Sequence, residues 1–126
     1  MSEDNKCAKT GEFAWNELVA TDEAAQKKFY AGLFGWTPTP FGEGGTYTIF
    51  KQGDDMVGGM MKCPRPGLPS HWLPYVFVDD VDASAARAKK LGADIAVEPV
   101  DVPTVGRIAV IVDPQKAAIG LFKPAM

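Results

Sequence analysis

One histidine and two cysteines are the whole supply of imidazole and thiol in these 126 residues. Cys7 and Cys63 are too few for a disulfide framework and stand in neither a CxxC nor a Cys/His spacing, so both are expected to be reduced, with a Cys7–Cys63 bridge as the lesser alternative. The chain also lacks a long apolar run: its hydrophobic stretches are strand-sized, and the opening MSEDNK carries two acids and no apolar segment. Neither a membrane span nor a secretory signal is therefore expected, and a cytoplasmic location is the default. With 13 basic and 16 acidic residues and a net charge of -3, there is no basic stripe to meet a nucleic-acid backbone or an anionic membrane surface. No serine has nucleophile-elbow context, and GEGG at 42–45 opens no helix, so it reads as a hairpin turn and not a phosphate loop. What is abundant is apolar side chain, 46% of the chain, enough for one domain whose core needs neither disulfide nor metal.

The stretch FAWNELVATD (13–22) alternates like a strand, with Phe13, Trp15, Glu17 and Val19 on one face. Glu17 is the anomaly there, because a carboxylate between Trp15 and Val19 is costly if that face is buried. Thr21 and Asp22 supply N-cap chemistry for a helix over 23–34, with an expected inner stripe of Ala25, Phe29 and Leu33, Tyr30 and Phe34 beside it, and an end at Gly35. Pro38 and Pro40 confine 36–41 to a sheet edge. Strands are expected at 47–51 and 56–62, the latter with a bulge or close backbone approach at Gly58-Gly59. The proline-rich KCPRPGLPSH (62–71) reads as a linker. The order then restarts: a strand at 72–78, an acidic cap at Asp79-Asp80, a helix with Val81, Ala85, Ala88 and Leu91 on one face, and strands near 94–100, 107–112 and 118–123.

Strand, helix and three strands thus occur twice, with Gly35 and Gly92 57 residues apart. Each copy is too small to bury a core alone, so the two are expected to associate. The expected fold is α+β: two pseudo-symmetric βαβββ modules, about 11–62 and 72–124, forming a curved, half-barrel mixed sheet around a cleft, helices outside, in a single domain over 1–126.

The segments ELVATDEAAQKKFYAGLFGW, YVFVDDVDASAARAKKLGA and GRIAVIVDPQKAAIGLFKP carry a resemblance, from about Glu12 to Pro124, to the vicinal oxygen chelate superfamily of glyoxalase I, bleomycin-resistance proteins and extradiol dioxygenases. Lys116 departs from the glycine common in that family after Asp-Pro. The resemblance implies metal ligands on the first strand of each copy, usually His, and on the last, usually Glu. Here those positions fall near Trp15 and Leu73, and near Gly58 or Gly59 and Gly120, so no metal and no cofactor is expected. His71, at the end of the linker, reads as a strand-entry residue.

The candidate ligand-binding residues are Trp15, Glu17, Tyr47, Trp72 and Tyr75, an aromatic wall with one carboxylate, whereas plain core is the reading for Phe29, Phe34 and Phe77. Glu17 would be paired with a cation such as Arg107 or with backbone, hold a ligand's amine or hydroxyl, or move a proton; it is read as a polar anchor in apolar surroundings. Three functions stand open. The first is a metal-independent small-molecule binder of the bleomycin-resistance kind, a homodimer. The second is a glyoxalase-like lyase or hydroxylase-like enzyme using Glu17 with Tyr47 or Tyr75, and the third is a nonenzymatic dimerisation domain.

Overall fold

The computed structural model describes residues 9–64, 66–103 and 105–125, apart from the side chain of Glu43; Cys7, and with it the Cys7–Cys63 bridge, lies outside them. Eight strands and two helices make the fold α+β, in the order β1 (Phe13–Ala20), α1 (Glu23–Phe34), β2 (Thr37–Phe41), β3 (Tyr47–Gln52), β4 (Asp55–Lys62), β5 (His71–Phe77), α2 (Val81–Lys90), β6 (Asp94–Val102), β7 (Gly106–Val112) and β8 (Ala118–Pro124). Two compact units divide the chain: Trp15–Leu73, and residues from Pro74 onward together with residues up to Ala14.

In the first unit the strand order is β2-β3-β4-β1. β2 pairs only with β3, as its two prolines require, since neither can donate to a second neighbour. β3 and β4 are antiparallel, and β4 lies parallel to β1 with Glu17 opposite Gly59 and Leu18 opposite Met60. The pairing steps from Phe50↔Gly58 to Lys51↔Met56, leaving Val57 without a partner: the bulge stands one residue before the glycine pair. Asp22 caps α1, its side chain accepting from the Ala25 N–H at 3.1 Å, and Gly35 ends the helix in the left-handed conformation at φ 77°.

Alternation sends Leu18 to the helix side of the sheet, where it forms a core with Ala20, Phe50 and Met60. Tyr30 is the helix residue that packs there, with Trp36 and Phe50 within ring-contact distance. The expected inner stripe is corrected by this. Phe29, Leu33 and Phe34 are 57%, 57% and 50% exposed, and no residue of α1 is fully buried. The physical reason is that Tyr30 brings a hydroxyl as well as a ring. It accepts the Trp72 indole N–H at 3.1 Å, so the helix turns Tyr30 inward and Phe29 outward, while Phe34, one turn further on, stacks on Tyr30 and packs against Trp36 with half its surface exposed.

The second unit repeats the plan with strand order β5-β8-β7-β6, β5 parallel to β8 and the other pairs antiparallel. Asp80 caps α2 through the Ala83 N–H at 3.0 Å. Val81 and Ala85 pack with Ala109 and Leu121, whereas Leu91, expected on that face, is 72% exposed because the helix stops at Lys90 and Leu91 is its C-cap. Arg107 joins α2 and β6 by its bonds to Asp82 at 2.8 Å and to Asp101 at 3.0 Å.

The turn between β7 and β8 tests the departure at Lys116. Lys116 is left-handed at φ 77°, alone among the described non-glycine residues. The Asp113 carboxylate accepts the N–H groups of Gln115 and Ala117 at 2.8 and 3.0 Å, and these bonds hold the turn in a shape that a lysine resists. A left-handed lysine costs about 1–2 kcal/mol, and a glycine would lose about 0.5–1 kcal/mol more in unfolded-state entropy. Lys116→Gly is therefore expected to stabilise the fold by up to about 1 kcal/mol, read as a higher urea midpoint with an unchanged slope.

Candidate functional site

Glu17, Ile49 and Gly59 stand side by side on β1, β3 and β4, on the face of the first unit turned away from α1. Two residues before Ile49 on the same face is Tyr47. Its ring lies across Gly59, so close that a Cβ built on that glycine would overlap Oη, Cζ and Cε2. The close backbone approach read from Gly58-Gly59 thus has a concrete cause: glycine at 59 makes room for the tyrosine.

Crossing Gly59 brings the phenol to the first strand. Trp15 donates its indole N–H to Tyr47 Oη at 3.0 Å, and Tyr47 donates its hydroxyl to Glu17 Oε1 at 2.9 Å. Glu17 is only 7% exposed, and this charge-assisted bond is one of the contacts that make its burial tolerable. Arg107 holds Asp82 and Asp101 within the second unit, and the phenol of Tyr47 is one partner of the Glu17 carboxylate. Burial first, and then the charge of Glu17, push the Tyr47 hydroxyl above the usual tyrosine range, while the Trp15 N–H opposes them.

Hydrogen bonds join three of the five candidate residues, through Tyr47. Trp15, Glu17 and Tyr47 are bonded to each other. Trp72 belongs to the same unit but to its helix side, with its indole N–H on Tyr30, its ring edge-on to Tyr30 and Trp36, and ordinary contact with the space above Gly58. Tyr75 is buried in the second unit, opposite Gly120, and covers it as Tyr47 covers Gly59. His71 opens β5, its Nδ1 2.9 Å from the Pro69 carbonyl oxygen. Sequence reasoning missed Tyr30, which looked like a neighbour of the helix stripe and not its centre. Two surface depressions of the second unit, about 330 and 250 Å³, are lined respectively by residues such as Asp101, Arg107 and Lys123 and by Asp82, Lys89 and Glu98; none of the five candidates lines either.

The donor set can be weighed for a metal of the kind the fold carries elsewhere. At Trp15, Leu73, Gly59 and Gly120 there is no imidazole, carboxylate or thiolate, and among the described residues no three His, Cys, Asp or Glu side chains converge. Those four positions therefore offer no donor to a divalent ion. What they form is a hydrogen-bonded triad with apolar walls, able to orient a polar group or hold a proton on a phenol.

A model of the Glyoxalase/Bleomycin resistance protein/Dioxygenase superfamily matches residues 12–121. The chain is 43% identical over 118 residues to the "Putative glyoxylase CFP32" of Mycobacterium tuberculosis, covering 92% of this chain and 45% of that protein. It is 34% identical over 126 residues to the anthracycline biosynthesis protein DnrV of Streptomyces peucetius, covering 87% of this chain and 46% of that one. The chain thus spans about half the length of the curated relatives it matches. Among solved structures, the Mn(II)-bound glyoxalase of Novosphingobium aromaticivorans shares the fold at TM-score 0.60 and 23% identity, over 91% of this chain and 39% of that one. The methylmalonyl-CoA epimerase of Mycobacterium tuberculosis does so at 0.64 and 14%, over 94% and 93%.

Two measurements check the triad. A tyrosine whose value is raised in the folded state contributes stability that is full below pH 10 and lost as pH rises through the folded value. Absorbance titration of tyrosinate is expected to show a phenol ionising above the ordinary range that Tyr47→Phe removes. The same substitution takes a donor from a buried carboxylate and an acceptor from an indole, a loss of about 2 kcal/mol in chemical denaturation. Gly59→Ala is expected to cost about 1–3 kcal/mol by overpacking, and much less once Tyr47→Ala has removed the ring; additive effects would contradict the geometry.

Proposed function

Because the chain belongs to the Glyoxalase/Bleomycin resistance protein/Dioxygenase superfamily, we propose that it binds an apolar or aromatic small molecule without a divalent metal. One observation carries this reading. Where the family resemblance implies coordinating side chains, this chain has residues near Trp15 and Leu73, near Gly58 or Gly59, and Gly120, and tyrosine rings lie over Gly59 and Gly120. A carboxylate at 59 or 120 would meet those rings, so the site's chemistry is supplied by the Trp15 N–H, the Tyr47 hydroxyl and the Glu17 carboxylate. Aromatic walls with a few convergent polar groups suit recognition of a small, largely apolar ligand.

A second reading has an observation of its own. The 2.9 Å bond between Tyr47 Oη and Glu17 Oε1 aligns a proton donor with a carboxylate, which is the pairing that acid-base turnover by a glyoxalase-like enzyme would use. There the ligand would be a substrate, with Glu17 its base and Tyr47 its acid.

Native mass spectrometry and thermal unfolding of the wild type test the first reading together. No stoichiometric divalent ion and no rise in Tm with Mn²⁺ are expected, while a panel of aromatic ligands should yield members that raise Tm; saturation at 100 times Kd corresponds to about 2.7 kcal/mol. A bound divalent ion at one per chain overturns it. Glu17→Gln separates the readings: it should abolish turnover of any panel compound that the wild type converts, with the fold intact, if the enzyme reading holds.

A further inference from the structure

We propose that the recess over Gly59, walled by Trp15, Glu17 and Ile49, is a binding subsite for a hydroxylated aromatic ring, occupied in the resting protein by its own Tyr47. The proposal rests on the binding role given above and names the ligand class of that site.

Three observations lead to it. First, the recess recognises a phenol from both sides. The Trp15 N–H donates to the oxygen at 3.0 Å and Glu17 Oε1 accepts its proton at 2.9 Å, so donor and acceptor match one hydroxyl on one ring. Second, the floor is backbone. Gly59 has no side chain, and the flat face of a ring rests where any Cβ would collide. Third, the occupant is tethered at a place that can give way. Tyr47 is the first residue of β3, separated by Thr46 from the turn Glu43–Gly45, in which Gly44 and Gly45 have φ of 74° and 63° after Gly42 at 79°. Its other aromatic neighbour is Phe41 on the edge strand β2, at 6.5 Å between ring centres, and Phe41 is 39% exposed. Swinging Tyr47 outward therefore disturbs an edge strand and a glycine turn, and leaves the core of Leu18, Phe50 and Met60 on the other face intact.

A ligand phenol entering the recess takes over both hydrogen bonds of Tyr47 one for one, so the buried carboxylate keeps a donor throughout. An apolar ring of the same size leaves Glu17 and Trp15 without that partner and is rejected on those grounds. The resident tyrosine competes with every ligand, and its removal tightens binding by the fraction of time it would have filled the site.

The test uses 4-methylphenol, the side chain of tyrosine, and toluene, the same ring without the hydroxyl. In the wild type, 4-methylphenol is expected to shift the Trp15 indole N–H resonance saturably. In Tyr47→Ala it should bind at least tenfold more tightly and raise Tm by several degrees, as small aromatics do in engineered cavities, with toluene far weaker in both. Should Tyr47→Ala not fold, Tyr47→Val, which suits a strand better, takes its place. An unmoved Trp15 resonance in the wild type, no tightening in the folded variant, or equal binding of toluene overturns the proposal. Failure of the parent reading looks different: a stoichiometric divalent ion with a moving Trp15 resonance keeps the recess and removes the metal-independent role, whereas aromatic ligands that raise Tm without touching Trp15 do the reverse.

Discussion

The hydrogen bond from Tyr47 to Glu17 is the constraint to which the other features of the first unit answer. A carboxylate exposed by only 7% on an apolar face needs donors within reach, and the phenol that supplies one starts two strands away. It reaches Glu17 only by lying flat over β4, which forces glycine at 59. It also receives the Trp15 N–H, which fixes the tryptophan on the same face by a bond between side chains 32 residues apart in sequence. One buried charge thus selects the residues at 15, 47 and 59.

The two units meet a similar geometric situation with different parts. Glu17 faces Gly59 across a parallel strand pair in one, and Tyr75 faces Gly120 across a parallel pair in the other. In the second unit the tyrosine sits at the position equivalent to Glu17 and covers the glycine directly, so no carboxylate is buried there. In the first the carboxylate is kept and the covering ring comes from β3. The duplicated fold supplies a matched pair of glycine floors, and the one in the first unit has a buried carboxylate beside it.

Much of the fold was legible because its signals are local. Asp22 and Asp80 as caps, Gly35 as a left-handed stop, and two prolines on an edge strand are each decided by a few neighbouring residues. Glu17 stood out for the same reason, as a charge in an apolar alternation. Its partner did not. The phenol partner depends on register between β3, β4 and β1, which sequence spacing leaves open. The helix face failed similarly: apolar periodicity cannot tell Phe29 from Tyr30, and the choice fell to a hydroxyl with an indole to bind. Trp15, Tyr47, Trp72 and Tyr75 were picked as aromatic residues on strands, and strand identity alone does not say on which side of a sheet, or over which glycine, a ring comes to rest.

The ring over Gly59 also imposes an order on genetic change. A side chain at 59 must displace the aromatic at 47 while that ring is in place, whereas replacing 47 first meets no such overlap. A lineage that places a side chain at 59 is therefore expected to change 47 as well, and with it the phenol donor to Glu17. Either change alone is destabilising, so the two positions are tied to each other in sequence space.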